Sequence, residues 1–128
     1  MNLEFKEKWE LLALHKVFME AKYNESPENY DVQGSPIVEG LYERVFELLL
    51  STCSEKEQQS WKDWRKLETH EHRIPVLKSR LKAIHSSNWP KKTEGKEAYI
   101  KSLVSPLIPS ENQINELVAY GDSIHKNH

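Results

Sequence analysis

One four-residue signal occurs twice in this chain, as Ser54-Glu-Lys-Glu57 and Ser110-Glu-Asn-Gln113, and it constrains the fold more than any other feature. A serine whose hydroxyl accepts from the backbone three residues on, answered there by Glu or Gln, marks a helix N-terminus. Proline sharpens the same punctuation. Ser35 and Pro36 supply a cap and a first helical residue, and helix two runs from Pro36 to about Ser51. Pro75 ends helix three and opens helix four, because the residue ahead of a proline is pushed out of helical geometry. Thr93 is read as the cap of helix five, Ser105–Pro109 breaks the chain, and Gly121 is read as the stop of the last helix.

No stretch makes a convincing strand, so the expected fold is all-α: a compact single-domain bundle of five to six helices, with helix one central. The domain is expected over residues 1–121, with a short flexible tail over 122–128. At 128 residues such a chain buries roughly two thirds of its unfolded surface and needs no disulfide or structural metal. Helix one is expected over Met1–Tyr23, with Leu11, Leu14, Val17, Phe18 and Ala21 on one side and Phe5, Leu12, Met19 and Tyr23 on the other. A helix apolar on two faces is touched from both sides, or is shared with a second subunit. Asn24–Pro36 is loop by composition. The inward stripes expected elsewhere are Val38, Leu41, Tyr42, Val45 and Leu49; then Leu77, Leu81 and Ile84; then Tyr99, Ile100, Leu103 and Val104; and finally Ile114, Leu117 and Val118.

Chemistry-bearing residues are sparse. Glu39, Glu43 and Glu47 recur every four residues, but angular arithmetic puts them opposite the apolar stripe, in water. His70 and His72 are two apart, so on a helix they diverge and cannot clasp one ion; they are read as finishing helix three, where the helix dipole favours positive charge. His125-x-x-His128 has better ligand spacing but falls in the expected tail. His15 is read as a packed or flanking residue on helix one. Cys53 is alone, which excludes an internal disulfide, fits a reducing cytosol and reads as an inert thiol. Glycine-rich phosphate loops, nucleophile elbows and CxxC pairs are absent. The expectation is therefore no metal, no cofactor and no catalysis, and no apolar run long enough to span a membrane.

Two features remain. Trp61 and Trp64, with Leu67, fall on one narrow face of helix three, as core or as a binding hot spot, with Trp9 and Trp89 as expected core partners. Charge is polarised as well: residues 1–60 carry a net −6, residues 61–92 a net +6 and residues 93–128 a net −2. No acid occurs from Arg73 to Lys92. Arg65, Arg73, Lys78, Arg80, Lys82, His85, Lys91 and Lys92 are the candidate basic patch. These residues point to a cytoplasmic, non-catalytic protein binder (an inhibitor, immunity-type protein or adaptor), monomeric or homodimeric, that meets a partner with an acidic surface. The alternatives are nucleic-acid association through residues 62–92, which an overall pI near 6.3 disfavours, and a small helical hydrolase or metal enzyme using His15 and the Glu-rich helix.

Overall fold

Three helix starts written in the sequence, at Ser35, Ser54 and Ser110, are helix starts of the computed structural model, which describes residues 1–24 and 32–126. Residues 25–31 of the expected loop, and His128 of the C-terminal histidine pair, lie outside the described residues. The chain is all-α, with α1 (Lys8–Tyr23), α2 (Pro36–Ser51), α3 (Glu55–Trp64), α4 (Ile74–Ala83), α5 (Thr93–Val104) and α6 (Glu111–His125). Two 3₁₀ stretches, Leu67–Arg73 and Ser86–Asn88, join them. The chain divides into two compact units, Met1–Trp64 and Arg65–His128.

In the first unit, α1 begins at Lys8 and not at Met1. Glu7 has an extended backbone and makes no side-chain cap, and nothing upstream starts a helix earlier. The buried face of α1 is Leu11, His15, Met19, Lys22 and Tyr23, at successive helical turns. The two rows expected from apolarity alone are corrected by this stripe, and Val17 is 62% exposed. Two of the stripe's members are polar, and each has a partner, as burial demands. His15 is hydrogen-bonded to the Tyr42 hydroxyl, and the Lys22 ammonium donates to the Gln33 carbonyl. Gln33 in turn donates to the Ala21 carbonyl at 3.1 Å, so the chain is pinned to the end of α1 just before α2 starts.

Ser35 accepts from the Val38 N–H at 3.2 Å, and Pro36 occupies the first turn of α2. Tyr42, Val45, Phe46 and Leu49 are the buried residues of α2, which packs along α1. Leu41, expected inward, is 44% exposed, and Phe46 is buried instead. Leu11, Val45 and Leu49 form the core, with Phe5, Leu12, Leu14, Phe18 and Trp61 against it. The first capping box closes as written: Ser54 N–H donates to Glu57 at 3.1 Å, and Glu57 N–H to the Ser54 hydroxyl at 3.2 Å.

The second unit opens where helix three was expected to continue. Leu67 N–H donates to the Ile108 carbonyl at 2.9 Å and Ile108 N–H to the Arg65 carbonyl at 2.7 Å, a two-bond pairing that diverts the backbone. Leu67 is therefore fully buried in this unit, not on the tryptophan face of α3. Leu77 and Leu81 of α4, Ile100, Leu103 and Val104 of α5, and Leu117 of α6 are buried, and α6 packs on both α4 and α5. Thr93 is the first residue of α5 and not its cap, since Lys92 takes that position without a side-chain bond. The second capping box closes fully around Ser110 and Gln113.

Gly121 does not stop α6. It lies inside the helix, where a β-carbon would meet the Trp89 ring at 2.5 Å. Trp89 lies buried over it, with its indole N–H donating to Asp122 at 2.9 Å. The helix runs on to His125, which is buried, with Nε2 bonded to the Leu81 carbonyl at 2.7 Å and Nδ1 to the Ser86 hydroxyl at 2.8 Å.

Candidate functional site

Two helix faces in the first unit enclose an open groove of ≈ 490 Å³. Leu12, His15 and Lys16 of α1 stand at i, i+3 and i+4, and Glu57, Ser60, Trp61 and Trp64 of α3 stand at i, i+3, i+4 and i+7, with Lys56 beside them. Same-face spacing on both helices is what gathers these residues.

His15 lies at the centre of an aromatic cluster. Its ring centroid is 5.1 Å from that of Trp61 and 4.9 Å from that of Trp64, both edge-on, and 5.7 Å from that of Tyr42. Nδ1 is 2.8 Å from the Tyr42 hydroxyl. Burial pushes the imidazole below its ordinary 6.5, and the charge of Lys16 adds to this, so the ring is neutral at pH 7. Trp61 and Trp64 are both half-buried, their rings 5.6 Å apart and edge to face. They are walls of a groove with one side packed and the other open.

The polar rim is unbalanced. Glu57 is the single carboxylate of the lining, and both its oxygens are taken, by the Ser54 backbone and by the Lys8 ammonium at 3.3 Å. These bonds, the backbone bond foremost, hold the Glu57 carboxyl below its usual range. Lys16 and Lys56 are exposed and meet no carboxylate among the described residues. Ser60 Oγ–H and the Trp61 indole N–H likewise have no hydrogen-bond acceptor among the described residues. Donors thus outnumber acceptors around apolar walls, a combination suited to an apolar group that carries negative charge.

The basic residues of the second unit divide by burial. Arg65 is buried, its Nε donating to the Pro106 carbonyl at 2.9 Å, and Arg80 is buried too, so both act inside the fold and offer no charge to solvent. Lys78 pairs with Glu116 at 3.1 Å and lies 5.4 Å from the Tyr120 ring centroid. Arg73 is half-buried. Lys82, His85, Lys91 and Lys92 are exposed. Lys91 borders a ≈ 270 Å³ hollow with Trp89, Lys96 and Asp122, where Lys96 holds Asp122 at 2.7 Å.

The remaining reactive residues do not converge. His70 is buried at a kink (φ −129°, ψ 42°) in the 3₁₀ stretch, and His72 is exposed with its ring 6.0 Å away. Among the described residues no group of three His, Cys, Asp or Glu stands close enough to hold a metal ion. Cys53 is half-buried and its thiol donates to the Leu49 carbonyl. Glu43 and Glu47 are exposed and Glu39 half-buried, and none of them lines the groove. Trp9, expected in the core, is 71% exposed, while Trp89 finds its ring partners in Tyr99 and His125. Among the described residues no helix is long and apolar enough to cross a membrane.

Sequence reasoning singled out Trp61, Trp64 and His15 but missed Lys16, Lys56 and Ser60. The signal that would have found them is the i, i+3, i+4, i+7 row ending on the two tryptophans. No protein-family model, curated protein or solved structure matches the chain.

Proposed function

We propose that this chain is a small non-catalytic protein-binding protein, of inhibitor, immunity or adaptor type, whose partner presents an acidic surface. The observation that carries this reading is the groove: two half-buried tryptophans backed by a neutral, packed histidine and rimmed by Lys16 and Lys56, which meet no carboxylate among the described residues. Tryptophans held on one side and open on the other are the usual anchors of protein interfaces, because they give large contact area at little entropic cost. The exposed Lys82, Lys91 and Lys92 supply long-range attraction to an acidic partner and raise its encounter rate. Cytoplasmic action keeps the Cys53 thiol reduced.

Photo-crosslinking in the native host tests the reading. A benzoylphenylalanine placed at Ser60 is expected to give one discrete adduct with an acidic protein, and the same probe at Lys92 a weaker adduct with that protein or none. A Ser60 probe that labels nothing, with a Lys92 probe that labels nucleic acid, would transfer the function to the basic stretch.

A further inference from the structure

Two contacts set how α1 and α3 line up along the tryptophan groove. The Lys8 ammonium meets Glu57 at 3.3 Å, and seven residues further along both helices the His15 and Trp64 ring centroids are 4.9 Å apart. The two helices therefore run side by side in the same direction. This alignment puts the groove lysines at opposite ends. Lys56 stands beside the Lys8–Glu57 pair, and Lys16 beside the His15–Trp64 contact. From Lys8 to Lys16, as from Lys56 to Trp64, is a rise of about 12 Å at 1.5 Å per residue. Between the two ends the walls are apolar, with Leu12 on α1 and Trp61 on α3.

Positive charge at both ends of an apolar middle specifies an occupant in three parts. Neither lysine meets a carboxylate among the described residues, and at the Lys56 end Glu57 is already held by Lys8 and the Ser54 N–H. The complement is a carboxylate at each end and an apolar side chain midway. The walls choose the backbone as well. The N–H groups of residues 12–16 and 60–64 are spent inside α1 and α3, so an extended segment finds no donors there, whereas a helix satisfies its own backbone. On a helix, positions i, i+4 and i+7 share a face and span about 10.5 Å, within reach of two flexible lysine stems. A second copy does not supply this pattern, since no two acids of the chain stand seven positions apart. Glu39 with Glu47 on α2, and Glu55 with Asp63 on α3, stand eight apart, but Glu43 and Gln59 lie midway where an apolar residue is needed.

We propose that the groove takes a helix of another protein whose docking face carries an apolar residue bracketed by two carboxylates about two turns apart. This rests on the groove being a protein-binding site and names what enters it. The test uses the intact chain and two helical peptides of one composition, each stapled on its far face. One carries Glu, Leu and Glu at i, i+4 and i+7, and the other exchanges the leucine with the second glutamate. Calorimetric titration is expected to show the bracketed peptide binding at least about tenfold tighter. Lys16→Glu and Lys56→Glu should each weaken it, with the melting temperature unchanged because both side chains are exposed. A peptide with one glutamate changed to lysine should prefer either single variant to the parent, and one with both changed should prefer the double variant. Equal affinity of the two isomers, no such preference, or no binding of either isomer overturns the proposal. An extended Glu-x-Leu-x-Glu peptide, which spans about 13 Å, overturns it too if it binds as tightly as the helix. An acidic protein crosslinked at Ser60 beside any of these overturning results leaves the protein-binding reading standing and removes only this occupant.

Discussion

A histidine in a ring of aromatics records its burial in its titration, and His15 does so with a definite sign. Burial and the Lys16 charge lower its folded value below 6.5, so between that lowered value and 6.5 the unfolded chain binds the proton and the folded chain does not. The contribution to stability is complete above about pH 6.5 and is lost as pH falls through the folded value. Urea unfolding between about pH 7 and about pH 5 should show the parent losing stability more steeply than His15→Gln, which has no proton to gain. Parallel curves would mean that the imidazole is not desolvated by Trp61 and Trp64. The same ring explains why these tryptophans are neither core nor free surface. One edge of each meets His15, and the other borders the groove. Apolarity alone assigns a tryptophan to the interior and cannot divide one between packing and recognition, so Trp9 was misplaced on the same reasoning.

The serine-capped helix starts were legible, and so were the ends of α1 and α2, but the ends of α3 and α6 were not. A start is a local event: Ser35, Ser54 and Ser110 each bond a backbone group three residues away, and the letters that do this are visible in the sequence. The end of α3 is set by Ile108, forty-one residues beyond Leu67, and no local pattern announces such a pairing. The end of α6 is set by Trp89 and by the two bonds of His125, again from distant parts of the chain. Gly121→Ala separates the two readings of that glycine. At a helix stop alanine would also cost stability, by forcing a side chain into the left-handed region, but would leave the environment of the Trp89 ring unchanged. Within α6 its β-carbon collides with the Trp89 ring, and the variant should show a loss of about 1–3 kcal/mol together with a shifted indole fluorescence. A loss of stability with unchanged indole fluorescence would return Gly121 to the role of terminator. The helix-two stripe was legible at Tyr42, Val45 and Leu49, but Leu41 is exposed, Val38 only half-buried, and Phe46 is buried in addition.

On the scale of the molecule, the charge division along the chain was plain in the sequence, but the tryptophan groove was not. The acid-free stretch drew attention to residues 65–92, yet Arg65 and Arg80 are buried and Lys78 is paired. The lysines beside the aromatic groove that meet no carboxylate among the described residues, Lys16 and Lys56, belong to the half of the chain with a net charge of −6. Net charge per segment hides them, because the Glu57 charge is met by Lys8 and Ser54 and the acids of α2 do not line the groove. The central claim is that this groove, through those two lysines, takes an acidic protein. It is tested most directly by measuring the affinity of the protein captured at Ser60 for the parent chain and for Lys16→Glu/Lys56→Glu, at about 50 mM and about 200 mM salt. The account predicts that the double reversal weakens binding at least about tenfold at the lower salt, with the melting temperature unchanged and the parent's affinity falling as salt rises. Equal affinities for the two chains, insensitive to salt, would contradict it.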